Sequence, residues 1–169
     1  MTVKQKTLKG EFSLSGKGLH TGKHVTVTFK PAKEDFGYKI HRIDLDGTPE
    51  IPALAEYVKF VDRASCLEKD GVYIYTMEHA MAALYGSGID NCLIELDGEE
   101  FPILDGSSKM YTDEIAKIGL EEQAAERKYF VVKEQMEYVS EDGLTKLTLL
   151  PDKDYNVNLV VAYDSPYLK

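Results

Sequence analysis

The sequence contains no tryptophan, only two cysteines, four histidines and six prolines in 169 residues, and no long apolar run. Each scarcity excludes something. Cys66 and Cys92 form neither a C-x-x-C pair nor a secreted-type framework, so a disulfide scaffold is excluded and a reducing, cytoplasmic setting is expected. No stretch approaches the ~18 apolar residues of a membrane span. Met1 to Lys6 lacks the apolar core of a signal peptide. What is present is ordinary for a globular protein: 43% apolar and 29% charged residues, in a chain long enough to bury roughly 70% of its unfolded surface without covalent staples.

Charge is uneven. The net charge is −9, yet residues 1–33 carry seven lysines against one acid, Glu11. The acidic total argues against a nucleic-acid partner, whose phosphates a binder must neutralise. The basic start would suit a single anionic ligand, although lysines solvated between strands are the simpler reading.

Periodicity predicts an α+β fold. Val25, Val27 and Phe29 alternate with polar residues as a half-buried strand, with Tyr38 to Asp44 as its expected partner. Residues 48–63 read as irregular and Val72 to Tyr75 as a short strand. A helix is expected from Met77 to Tyr85, capped by Thr76 and stopped by Gly86, with Met77, Ala80, Met81 and Leu84 inward. Asn91 to Leu96 is a strand. A second helix follows Ser107-Ser108, burying Tyr111, Ile115 and Ile118 and ending at Gly119. Glu121 to Glu126 has the polar composition of a linker, after which strands resume at 129–133, 144–150 and 156–163.

The resumption resembles the beginning. Thr28, Pro31, Lys33 and Asp44 are matched by Thr148, Pro151, Lys153 and Asp164 at one offset of 120. These identities, in the same strand–Pro–strand order, point to a duplicated domain: a complete copy over 1–125 and the initial strands of a second over 126–169.

Two nucleotide signatures fail. Gly16, Gly18 and Gly22 have neither the four-residue spacing of a phosphate loop nor the Gly spacing of a dinucleotide fingerprint, and they lead into a strand. His20 and His24 are four apart, a spacing that converges only on a helix. His41 has no acidic or thiol neighbour at ligand spacing. Glu78-His79 differs: both lie off the apolar stripe of the first helix, beside the small Ala82 and Ala83. A neutral imidazole is a good zinc ligand and an adjacent carboxylate can act as general base. An exposed acid favoured by the helix dipole explains the same pair without chemistry.

Three segments carry a family resemblance: Ser15-Gly16-x-Gly18-Leu19-His20-Thr21-Gly22, Thr76-x-Glu78-His79-x-Met81-Ala82-Ala83-Leu84-x-Gly86-x-Gly88-Ile89-Asp90-Asn91, and Phe101-Pro102-Ile103-Leu104-Asp105-Gly106-Ser107-Ser108. Together they resemble the N-terminal half of the UDP-3-O-acyl-N-acetylglucosamine deacetylases, zinc enzymes of lipid A synthesis. The resemblance implies two similar two-layer α+β domains, each a small, mostly antiparallel sheet with two helices. It implies His79 as a Zn2+ ligand, joined by a His and an Asp of a later H-x-x-x-D motif. Glu78 is then the general base for hydrolysis of the N-acetyl group, a later His aids the leaving amine, and His20 matches a loop histidine near the cleft, there either to contact substrate or to hold the turn. Asp105 is expected to cap the second helix, and the region of Cys66 to line the cleft. No histidine follows His79, so the remaining ligands are expected beyond residue 169. Such a fragment would be inactive alone and would not hold zinc tightly. The expected partner is UDP-3-O-acyl-N-acetylglucosamine, taken by a monomer without nucleic acid or a transmembrane segment. The alternatives are a non-catalytic module that binds a nucleotide sugar or partner, and the deacetylase part of a fusion with a hydroxyacyl-carrier-protein dehydratase.

Overall fold

A computed structural model describes residues 3–61, 64–163 and 167. The chain divides into two compact units, Met1–Arg127 and Lys128–Lys169. The first has the α+β composition expected. Its strands are β1 (Lys4–Leu8), β2 (Phe12–Lys17), β3 (His24–Pro31), β4 (Tyr38–Arg42), β5 (Glu50–Pro52), β6 (Val58–Phe60), β7 (Cys66–Lys69), β8 (Val72–Tyr75), β9 (Cys92–Leu96) and β10 (Leu120–Glu126). Its helices are α1 (Glu78–Gly86) and α2 (Lys109–Ile118).

The main sheet has the order β2-β3-β9-β4-β5 and is antiparallel except where β4 meets β9. Tyr38–Arg42 is therefore a strand but not the partner of β3. The edge of β3 is taken by β9, which arrives only after α1 and places Ile94 between Phe29 and Ile40. Local proximity favoured a hairpin; burial of the apolar β9 on both flanks outweighs it. Val25, Val27 and Phe29 of β3 and Cys92, Ile94 and Leu96 of β9 face the core as their alternation predicts. Helices α1 and α2 cover that face through Ala80, Ala83, Leu84, Tyr111 and Ile115. Phe29 stacks on Phe12 at 4.8 Å and meets Tyr111 edge-on at 5.8 Å, joining sheet to helix. A smaller sheet, β6-β7-β8, leads into α1. The stretch read as irregular thus contains β5 and β6.

The expected linker at 121–126 is strand β10, paired antiparallel with β1. Its glutamates are acidic counterparts to the lysines of β1, with Lys6 opposite Glu122 and Lys4 opposite Glu126. Behind them, the Asn91 amide donates to the side-chain carbonyls of Gln5 (2.8 Å) and Gln123 (2.7 Å). A polar sequence without strand propensity becomes a strand because a complementary partner supplies its pairing. Of the lysines of the basic start, Lys23 and Lys30 pair with Glu99 and Glu95, each at 2.8 Å.

The second unit is an antiparallel ribbon of β11 (Met136–Val139) and β12 (Lys146–Leu149), closed by a turn in which Ser140 and Thr145 bond each other. The strands expected over 129–133 and 156–163 do not form, and that over 144–150 shortens to β12. Among the described residues no third strand pairs with the ribbon, and Tyr138, Leu147 and Leu150 are exposed. Asp164, one member of the internal repeat, lies outside the described residues. No helix among the described residues is long and apolar enough to cross a membrane.

Candidate active site

Glu78 opens α1 and His79 follows it, both half-buried at the helix start. The helix begins one residue later than expected and without the expected cap. Thr76 has φ of 59°, in the left-handed region, and its hydroxyl donates to Glu100 Oε1 (3.1 Å) rather than to the helix. Gly86 is the last helical residue instead of the stop; the left-handed turn falls at Gly88, with φ of 76°. The inward stripe is Met77, Ala80, Ala83 and Leu84, with Met81 only half-buried. Ala83 therefore belongs to the core, and only Ala82 remains as an open neighbour of the Glu-His pair.

Two further contacts hold that helix start. The Ser65 amide donates to Glu78 Oε2 at 3.4 Å. The Ser108 hydroxyl donates to the His79 carbonyl at 2.8 Å, tying the beginning of α2 to the first turn of α1. Helix α2 runs from Lys109 and stops at Gly119 with φ of 80°, as its sequence predicts, with Tyr111 and Ile115 buried and Ile118 half-buried against the core. Asp105 does not cap it. Its carboxylate accepts from the Ser107 amide (3.0 Å) and hydroxyl (2.9 Å), and the Ser107 oxygen accepts from the Lys109 amide (3.0 Å). The Ser107 bonds hold the Asp105 carboxyl below its ordinary range.

The decisive residue that sequence reasoning missed is Glu100. It is fully buried, and Oε1 accepts from the His20 amide (2.9 Å) while Oε2 accepts from the Thr21 amide (2.8 Å) and hydroxyl (2.7 Å). Burial alone would raise its pKa, yet the bonds from His20, Thr21 and Thr76 outweigh it and keep the carboxyl below the usual glutamate range. Donors aimed at an ionised carboxylate have this effect. Nothing in the sequence separates Glu100 from its neighbour Glu99, a half-exposed partner of Lys23. The clue was Gly18. A Cβ there would lie 2.5 Å from Thr21 Oγ1 and 2.8 Å from Glu100 Cδ. Glycine is required by the close approach of the carboxylate, not by a phosphate. Gly18→Ala is accordingly expected to destabilise the protein by about 1–3 kcal/mol, read as a lower denaturant midpoint. An unchanged midpoint would show that the turn yields freely.

His20, Thr21, Phe60, Ala64, Tyr75, Glu99 and Glu100 line a cavity of about 350 Å³. His20 is thus placed on a concave surface, while Glu78 and His79 are not among the lining residues. His24 is exposed on β3. His41 Nε2 meets Glu50 Oε2 at 3.1 Å, the acidic neighbour that ligand spacing did not reveal. Cys66 is fully buried and burial pushes its thiol up, which disfavours the thiolate a metal would need. Among the described residues no group of three His, Cys, Asp or Glu side chains could hold a metal ion.

The three sequence segments therefore converge on one helix start: the glycine turn through Glu100, and the Asp-Gly-Ser-Ser segment through Ser108. A mostly antiparallel sheet covered by two helices, with this convergence at one end, defines the first unit as a two-layer α+β domain. The family model described as LpxC, UDP-3-O-acyl N-acetylglycosamine deacetylase, matches residues 5–169. The chain belongs to this family. It is 52% identical over 163 residues to a protein of Bacteroides thetaiotaomicron named bifunctional enzyme LpxC/FabZ, covering 96% of this chain and 35% of that protein. It is 50% identical to the protein of the same name from Porphyromonas gingivalis, covering 98% and 36%. It is 39% identical to the UDP-3-O-acyl-N-acetylglucosamine deacetylase of a Geobacter species, covering 98% and 53%. The chain spans between about a third and about half of the length of these relatives.

Proposed function

We propose that the chain supplies the general base and one metal ligand of a zinc-dependent deacetylase that hydrolyses the N-acetyl group of UDP-3-O-acyl-N-acetylglucosamine. The observation that carries this reading is the adjacency of Glu78 and His79 at a helix start braced from three sides, in a chain of this family. The donor set fits a share of a zinc site: His79 offers one imidazole nitrogen, and the other ligands come from outside the described residues. Zinc, when bound, supplies Lewis-acid polarisation of the acetyl carbonyl. The Glu78 carboxylate takes a proton from the attacking water, the task for which a positioned carboxylate is suited. His20 contacts the substrate from the cavity it lines. The working setting is the cytoplasm, and the partner is the nucleotide sugar.

The offset-120 repeat is read here as a duplication, with 1–125 the first deacetylase domain and 126–169 the initial strands of the second. Strand β12 supports it, lying 120 residues after Thr26–Phe29 within β3.

His79→Ala in the full-length protein tests the ligand. It should reduce zinc from one per chain to a small fraction after dialysis, measured by metal analysis, with the fold retained by circular dichroism. Zinc held at one per chain would overturn the assignment. A second reading, that the deacetylase segment is fused to a hydroxyacyl-carrier-protein dehydratase, is favoured by the bifunctional names of relatives at 52% and 50% identity. The mass of the protein detected in its native cells decides it.

A further inference from the structure

We propose that Glu100 is a positioning residue: its buried carboxylate locks the turn carrying His20 to the left-handed Thr76 and so aims the Glu78–His79 start of α1. What that aim serves rests on the deacetylase reading above. One oxygen makes the link. Oε1 of Glu100 accepts from both the His20 amide (2.9 Å) and the Thr76 hydroxyl (3.1 Å), while Oε2 accepts from the Thr21 amide and hydroxyl (2.8 and 2.7 Å). The backbone on both sides of Glu100 is stitched to the same place. The Tyr75 amide donates to the Glu99 carbonyl (2.8 Å), and the Phe101 amide donates to the Tyr75 carbonyl (3.0 Å).

Thr76 is the element under strain. A β-branched residue at φ of 59° costs of order 1–3 kcal/mol and persists only where its surroundings over-determine it. Those surroundings are the Glu100 bond to its hydroxyl and the Ser65 carbonyl, which accepts from the Thr76 amide at 3.0 Å. Ser65 also donates its amide to Glu78 Oε2 (3.4 Å). The chain of contacts thus runs His20, Glu100, Thr76, Ser65, Glu78. If the Thr76 hydroxyl is released, the residue can leave the left-handed region, and the first turn of α1 shifts with it.

The test uses the full-length protein with Glu100→Gln, Thr76→Val and Thr76→Ser. Gln presents an amide N–H2 to a site built of donors. Val keeps the branched shape and removes the hydroxyl, and Ser restores the hydroxyl. Glu100→Gln and Thr76→Val should each lower kcat by about 10²-fold, the scale of an ångström-level misplacement. KM should stay within about threefold and zinc at one per chain, because the loss is of aim rather than of binding. Thr76→Ser should retain most of the turnover. In parallel, the backbone amide proton of His20 should resonate downfield in the unsubstituted protein and move further downfield in Thr76→Val, because the two donors share Oε1 and losing one leaves that oxygen to the other. Wild-type kcat in Thr76→Val, equal impairment of Thr76→Ser and Thr76→Val, a loss confined to KM, or an unmoved His20 amide would each overturn the proposal. If Glu100→Gln does not fold, the two Thr76 variants decide. Should the unsubstituted protein release no acetate, the deacetylase reading fails, and the His20 amide alone judges the coupling.

Discussion

Glu78→Ala in the full-length protein is expected to lower turnover by about 10²–10⁴-fold, the usual contribution of a positioned general base, while zinc remains at one per chain. The separation of these two outcomes is the point. Glu78 and His79 are neighbours in the chain and share one helix turn, so damage to that turn would affect both together. Removing a carboxylate that moves a proton, but leaving the imidazole and the Ser108 bond to the His79 backbone carbonyl, should strip catalysis without stripping metal. Acetate release and metal analysis on the same preparation measure the two. Near-normal turnover in Glu78→Ala would remove the residue from the reaction.

Phe29→Ala should have the largest effect on stability, about 3–5 kcal/mol, enough to leave a marginal domain largely unfolded. Phe29 is fully buried on the interior strand β3, stacked on Phe12 and edge-on to Tyr111. Its loss opens a void at the seam between the sheet and α2, the helix whose first residues brace His79 through Ser108. Chemical denaturation followed by circular dichroism should show the midpoint falling by a large fraction of its value. A shift below about 1 kcal/mol would mean that the seam collapses to fill the space.

Elements whose formation depends on their own side chains were legible in the sequence. The alternation of β3 and β9, the apolar stripe of α2 and its glycine stop describe faces that must be buried wherever the strand or helix is placed. What failed depended on a distant partner. Glu121 to Glu126 has no reason to be a strand until Lys4 to Leu8 lies beside it, and β4 is separated from β3 only because β9 comes between. The site divided in the same way. Glu78 and His79 stood out through residue type and spacing, whereas Glu100 owes its role to donors some 80 residues earlier in the chain. Thr76 was misread because a cap and a left-handed brace use the same hydroxyl, and only the position of Glu100 tells them apart. Asp105 was misread for a related reason: Ser107 stands between it and the helix amide it was expected to meet.

The pairing of β1 with β10 sets the order of events when the protein is made. Lys4–Leu8 emerges from the ribosome well before its partner Leu120–Glu126, which comes almost at the end of the first unit. Strand β3 waits similarly for β9. The N-terminal strand must therefore remain unpaired during nearly the whole synthesis of the unit, with its lysine-rich sequence keeping that waiting edge soluble. Closure comes late, so translation pauses before β10 has emerged from the ribosome prolong the exposed state, and pauses after it has emerged do not.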